Sequence, residues 1–152
     1  YSNKYFNMNR IASILLLILL SSCSGKKEIV TVNHSNSPTP IGPYNHSTSY
    51  GDLIFISGQI GIDPQSNTLR EGIQEQTLQI FENLKIILKD NNSDMNRITK
   101  TTIFITNIKD FEVINKIYGS YFTNHYPARS TIEVVSLPKN AAIEIECIAV
   151  KK

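Results

Sequence analysis

From residue 71 to 88, Ile73, Thr77, Ile80, Phe81, Leu84, Ile87 and Leu88 recur at three- and four-residue intervals, with Gln, Glu and Lys on the opposite side. That period predicts an amphipathic helix lying on a sheet. The polar run Asp90 to Asp94 ends it, and Arg97 to Thr106 follows as a strand with residues arranged for burial on both sides. Asp110 is placed to cap a second helix, whose Phe111, Ile114, Tyr118, Tyr121 and Phe122 repeat at helical spacing and read as core. Upstream, Glu28 to Asn33 is a β-branched strand and Ser35 to Pro43 a Ser/Asn/Pro loop. Tyr50-Gly51-Asp52-Leu53 is a turn between strands, and Leu53 to Ser57 a short apolar strand. Downstream, Tyr126 to Val135 and Ala142 to Val150 are sequential strands joined through the Pro/Lys/Asn turn at Ser136 to Ala141. The order strand, strand, strand, helix, strand, helix, strand, strand predicts an α+β domain. It is a mixed six-stranded sheet whose right-handed crossovers put both helices on one face.

The last two strands alternate with period two. Ile132 and Val134 on one, and Ile143, Ile145, Cys147 and Ala149 on the other, are expected to face the core. The opposite faces then carry Arg129, Thr131, Glu133, Glu144 and Glu146, with Ile148 and Val150 among them. Charge mixed with apolar residues implies a face covered by a neighbouring subunit, and covered charge must be paired or used. From periodicity alone, Arg129 and Glu144 read equally as a cross-strand ion pair or as parts of a site.

The N-terminal segment changes the picture of where the protein works. Met8-Asn9-Arg10, the apolar run Ile11 to Leu20, and Leu20-Ser21-Ser22-Cys23 form the charged, apolar and small-residue succession of a secretory signal. The run is too short to span a bilayer as a helix, and the residues before Cys23 resemble a bacterial lipoprotein box. Residues 1–22 are therefore expected to be a signal peptide, with 1–7 upstream of the start methionine. Residues 23–36 form a tether lipidated at Cys23 together with the first strand, and 37–152 the folded domain. The expected location is the cell envelope, periplasmic or outer surface, with the membrane reached through the lipid.

Lys4 and Arg10 account for the formal charge of +2, so the domain itself is neutral. Neutrality argues against a nucleic-acid partner, which needs a basic stripe. Cys23 and Cys147 sit in unrelated contexts and make no disulfide framework. The histidines His34, His46 and His125 lack metal-ligand spacing, so no metal is expected. Ser57-Gly58-Gln59-Ile60-Gly61 runs into Asp63-Pro64 rather than a helix and is no phosphate loop. Ser57, His125 and Asp110 could be assembled into a triad on paper, but no nucleophile elbow supports it.

Pro127-Ala128-Arg129-Ser130, Leu137-Pro138-Lys139 and Ile143-Glu144-Ile145-Glu146, with Gly42-Pro43-Tyr44 and Ser57-Gly58-Gln59 earlier, resemble the Rid (YjgF-type) family of enamine/imine deaminases. The likeness runs from Ser37 to Lys152. It implies a chorismate-mutase-like fold, a homotrimer with pockets between subunits, and no cofactor. It also implies a site made of Tyr44, Ser57, Gly58, Asn115, Arg129, Thr131 and Glu144. Arg129 would grip the carboxylate of a 2-enamino or 2-imino acid such as 2-aminoacrylate, while Glu144 activates a water to give a keto acid and ammonia. Tyr44 and Ser57 would hold the water or the nitrogen. Asn115 reads equally as an exposed helical residue. Two departures stand out: Asn45-His46 replaces the commoner Ser/Val-Gln, and Thr131 stands where the best-known deaminases have cysteine. A non-catalytic pocket for a carboxylated metabolite, or an interaction protein of the envelope, are the alternatives.

Overall fold

The structure, a computed structural model, describes residues 27–152. The signal peptide and the lipidation site at Cys23 lie outside the described residues. Six strands form one mixed sheet in the order β1-β2-β3-β8-β6-β7. They are β1 (Ile29–Val32), β2 (Ser47–Tyr50), β3 (Leu53–Ile60), β6 (Ile98–Ile105), β7 (Ala128–Glu133) and β8 (Ile143–Val150). A separate two-residue hairpin, β4 (Ile62–Asp63) with β5 (Thr68–Leu69), follows β3. Helices α1 (Gly72–Asp90) and α2 (Phe111–Ser120) supply the crossovers and cover one face.

The core forms where the helical stripes meet that face. Ile80, Phe81, Leu84, Ile87 and Leu88 of α1 and Ile114 and Tyr118 of α2 are buried against Ile54, Ile103, Ile105, Ile143, Ile145 and Ala149. These are the apolar positions the two periods pick out. Helix α1 ends in a Schellman arrangement: Asn92 takes φ +56°, its N–H donates to Lys89 O at 3.0 Å, and Ser93 N–H to Leu88 O at 2.9 Å. Asp110 precedes α2 but its side chain caps nothing. Asn107 instead accepts from Lys109 N–H at 3.1 Å, one turn earlier. The cap belongs to the short helical turn Ile108–Asp110, which sits between the strand and the helix.

Two expectations about the last strands are corrected. β7 and β8 are not partners, because β6 lies between them, parallel to β7 and antiparallel to β8. The parity of β7 is also reversed. Phe104 of β6 is in register with both Ile132 and Glu144, so those three point to the face away from the helices. Thr101 is in register with Arg129 and Cys147, and it is fully buried with its hydroxyl 2.9 Å from Tyr118 Oη. Arg129 and Thr131 therefore face the helix side, and Ile132 is 46% exposed. The cause is the covering layer: at this edge α2 offers aromatic rings, over which a guanidinium packs as well as an aliphatic chain. The face turned from the helices carries Phe55, Leu53, Phe104, Ile132, Ile148 and Val150 among Lys100, Glu144 and Glu146, with Phe55 43% exposed.

Candidate active site

A one-residue irregularity in β3 builds one group of the candidate residues. Pairing with β8 runs Ile56↔Cys147 and resumes at Gln59↔Ile145, leaving Ser57-Gly58 as a bulge. The Gln59 side-chain amide folds back to donate to Ser57 O at 3.0 Å and Gly58 O at 3.3 Å, satisfying the carbonyls that the bulge takes out of the ladder. Beside it, Glu144 opposes Ile60 and lies over Gly58. A cavity of about 250 Å³ opens here, lined by Ile41, Tyr44, Ser57, Gly58, Ile60, Pro138 and Glu144.

The polar groups in this cavity have assigned roles. Tyr44 Oη accepts the Ile41 N–H at 3.2 Å, which leaves its own proton free to donate. Ser57 Oγ donates to Asn45 O at 2.7 Å, which leaves its lone pairs free to accept. Burial, with a smaller contribution from the Glu146 carboxylate two residues on, pushes Glu144 above the ordinary carboxylate range. Glu144 makes none of the ion pairs found among the described residues. It is thus a half-buried carboxylate with a raised proton affinity beside a donor and an acceptor.

A second group of the candidate residues lies elsewhere on the chain. Asn115, Tyr118 and Gly119 of α2 with Tyr126, Pro127 and Arg129 line an open cleft of about 470 Å³. The Arg129 guanidinium carbon sits 4.6 Å from the Tyr118 ring centre and 5.6 Å from that of Phe111. It has no carboxylate partner among the described residues. Stacking fixes the plane of the fork and leaves its donors unspent. Thr131 follows two residues along on the same side of β7. The structure therefore brings Tyr44, Ser57, Gly58 and Glu144 together, and Asn115 with Arg129, but it does not bring the two groups together. Within one chain Arg129 and Glu144 face opposite sides of the sheet.

Sequence reasoning did not single out Ile41, Ile60 or Pro138 as walls, or Phe111 and Tyr118 as the seat of Arg129. Pro138 carried a local signal: it opens a turn in which Lys139 and Asn140 both take φ +56°. The other residues read simply as apolar or aromatic core.

The Endoribonuclease L-PSP family profile matches residues 34–151. The chain belongs to this family. It is 46% identical over 117 residues to a RutC family protein of Aquifex aeolicus, covering 76% of this chain and 94% of that one. It is 39% identical over 125 residues to the 2-iminobutanoate/2-iminopropanoate deaminase of Salmonella typhimurium, covering 80% and 98%. Among solved structures, the yjgF gene product of E. coli superposes with a TM-score of 0.77 at 37% identity, covering 81% of this chain and 99% of that one.

Proposed function

We propose that this family member is a deaminase that hydrolyses small 2-imino and 2-enamino acids to 2-keto acids and ammonia, in a site completed by a second copy of the chain. The observation that carries the composite site is the division of the polar groups: Glu144 with Tyr44 and Ser57 on one surface, and Arg129 with Asn115 on another. The relative named as an iminobutanoate/iminopropanoate deaminase supports the reaction class. Different patches of one chain that meet form a heterologous contact, which gives a ring where the rotation between copies closes. A homotrimer is the ring proposed. The exposed apolar residues on the open sheet face support it, because water is a poor cover for Phe55, Ile132 and their neighbours.

In this reading Arg129 of one copy takes the substrate carboxylate through two parallel N–H donors. Glu144 of its neighbour takes one proton from a water as its oxygen adds to the imine carbon and delivers it to the imine nitrogen, giving a neutral carbinolamine. Glu144 then takes the carbinolamine hydroxyl proton and passes it to the amine nitrogen as the C–N bond breaks, so the carbonyl forms and ammonia leaves. The raised proton affinity of Glu144 suits a group that must both take and return that proton. The Tyr44 proton is available to the nitrogen or the water, and the Ser57 lone pairs to the water. If the backbone at residue 131 does the binding, threonine serves there as cysteine does.

An RNA-cleaving role, suggested by the family description, has less support. Glu144 and Glu146 share the open face, and the domain has no surplus of basic residues to displace counterions. The envelope lipoprotein anchored at Cys23 is proposed alongside, on the residue succession before it. Ammonia release from freshly generated imino acid tests the function: release at the uncatalysed rate would leave a carboxylate-binding pocket as the better reading.

A further inference from the structure

A buried polar cluster stands directly behind the Tyr44 cavity. Its centre is His46, 3% exposed, in contact with His34, 5% exposed. His46 Nδ1 accepts the backbone N–H of His34 at 3.0 Å, and its Nε2 lies 2.6 Å from the carbonyl of Pro38. A backbone N–H can only donate and a carbonyl can only accept. The ring is therefore neutral, with its proton on Nε2. The Ser37 N–H closes a turn onto His34 O at 3.2 Å, and from Pro38 the chain runs through Ile41 to Tyr44, two walls of the cavity. The backbone of His46 reaches the other wall, since its carbonyl accepts the Ser57 N–H at 3.0 Å. One residue thus ties the start of the loop, its middle and the pocket floor.

We infer that His46 is a proton-sensitive positioning residue: neutral, it holds both ends of the turn that leads into the Pro38–Tyr44 loop, and protonated, it frees His34 and with it the start of that turn. A second proton can only go to Nδ1, where it meets the His34 N–H. Two donors cannot share that space, so the ring must give up His34, while Nε2–H can still donate to Pro38. The surroundings offer no compensation. His34 turns its Nδ1 to Asp90 Oδ2 of α1 at 3.0 Å and its Nε2 to Ser47 Oγ at 3.2 Å, so the nearby carboxylate engages the other imidazole. The loop contributes Tyr44, β3 contributes Gly58, Gln59 and Ile60, and β4 contributes Ile62, none of them charged acids or bases beside the ring. The consequence for substrate rests on the deaminase reading, whereas the consequence for the loop does not.

The test uses the full chain and two readouts. Hydrogen exchange at the amides of His34 and Ile41, corrected for the intrinsic rate, is followed from about pH 8 to about pH 5. Pyruvate, a non-reacting carboxylate, is titrated over the same range. The wild type should lose protection at both amides and, relative to His46→Gln at the same pH, bind pyruvate about tenfold more weakly at the acid end, as expected for one lost hydrogen bond. His46→Gln reaches Pro38 with a donor but cannot titrate, so its amide protection should not vary with pH and its pyruvate affinity should vary only as Glu144 takes up a proton. Flat wild-type protection overturns the inference, as does an equal pH response in His46→Gln, or loosening of the loop without weaker pyruvate binding. Should His46→Gln not fold, wild-type exchange alone decides. Absence of ammonia release at every pH would sink the deaminase reading and leave the exchange result standing.

Discussion

Gly58 and Glu144 occupy one another's space: a Cβ placed on Gly58 would stand 2.7 Å from Glu144 Cδ and 3.0 Å from its Cγ. The carboxylate is seated on bare backbone, and hydrogen is the only side chain that leaves room for it. Gly58→Ala should therefore swing Glu144 out of the cavity while leaving the sheet intact. The expected result is a fall in kcat on the order of 10²-fold with an unchanged far-UV spectrum, since misplacing a general base costs most of what it supplies. Wild-type kcat in the alanine variant would show that the base is another group.

Glu144→Gln separates catalysis from stability. Its kcat should drop by about 10²–10⁴-fold because the amide cannot take a proton. The folded state raises the proton affinity of Glu144, mainly through burial and then through Glu146. The contribution of Glu144 to stability is then fully present below its unfolded pKa and is lost as pH rises through the folded one. At neutral pH the ionised carboxylate is a strain that glutamine removes. The variant should melt above the wild type at neutral pH, and the difference should close on acidification. A variant that melts lower at neutral pH would mean the carboxylate is held by a cation.

Arg129→Lys should raise KM almost as far as Arg129→Ala, because a point charge cannot reproduce two parallel donors. Alanine should also lower the melting temperature, since about 0.5–1 kcal/mol of stacking over Tyr118 and Phe111 goes with the guanidinium. Rescue of KM by lysine would reduce Arg129 to an electrostatic role.

These tests bear on what the sequence could and could not say. Both helices and the core side of β8 were legible because Ile80, Leu84 and Ile145 obey the periods of a buried stripe. β7 was not, because both of its sides mix polar with apolar residues and nothing local says which side is covered. A guanidinium lying on aromatic rings and an isoleucine on the open face reverse the usual sense. The insertion of β6 between β7 and β8 is a long-range pairing choice, invisible to alternation within either strand. The candidate site residues were singled out by their motifs. Their division between two surfaces appeared only with the register.

Lipidation at Cys23 is checked by growing cells with labelled palmitate and comparing the full chain with Cys23→Ala. Label should follow the cysteine, and stable attachment should need more than one acyl chain, because a single one binds only marginally. Equal labelling of both chains would remove the anchor from the proposal. Cys147 will not confuse the result: it is buried, and burial followed by the Glu146 charge pushes its thiol up to about 12.

The division of the site makes its own prediction. Assayed well below the raised KM, Arg129→Ala should be nearly inactive alone, as should Glu144→Gln. Suppose each site takes its arginine from one copy and its carboxylate from the next. Then co-expression in equal amounts creates sites in which an intact Arg129 from the Glu144→Gln chain faces an intact Glu144 from the Arg129→Ala chain. Random assembly makes about a quarter of the sites of this kind, so about a quarter of wild-type activity should return. Chains purified separately and mixed without exchange of subunits should stay inactive, and sedimentation of residues 27–152 should give three copies. A site contained in one chain behaves otherwise, because every chain then carries one lesion and no pairing repairs it. Full assembly without recovered activity would place Arg129 and Glu144 in different sites, and the shared pocket would have to be abandoned.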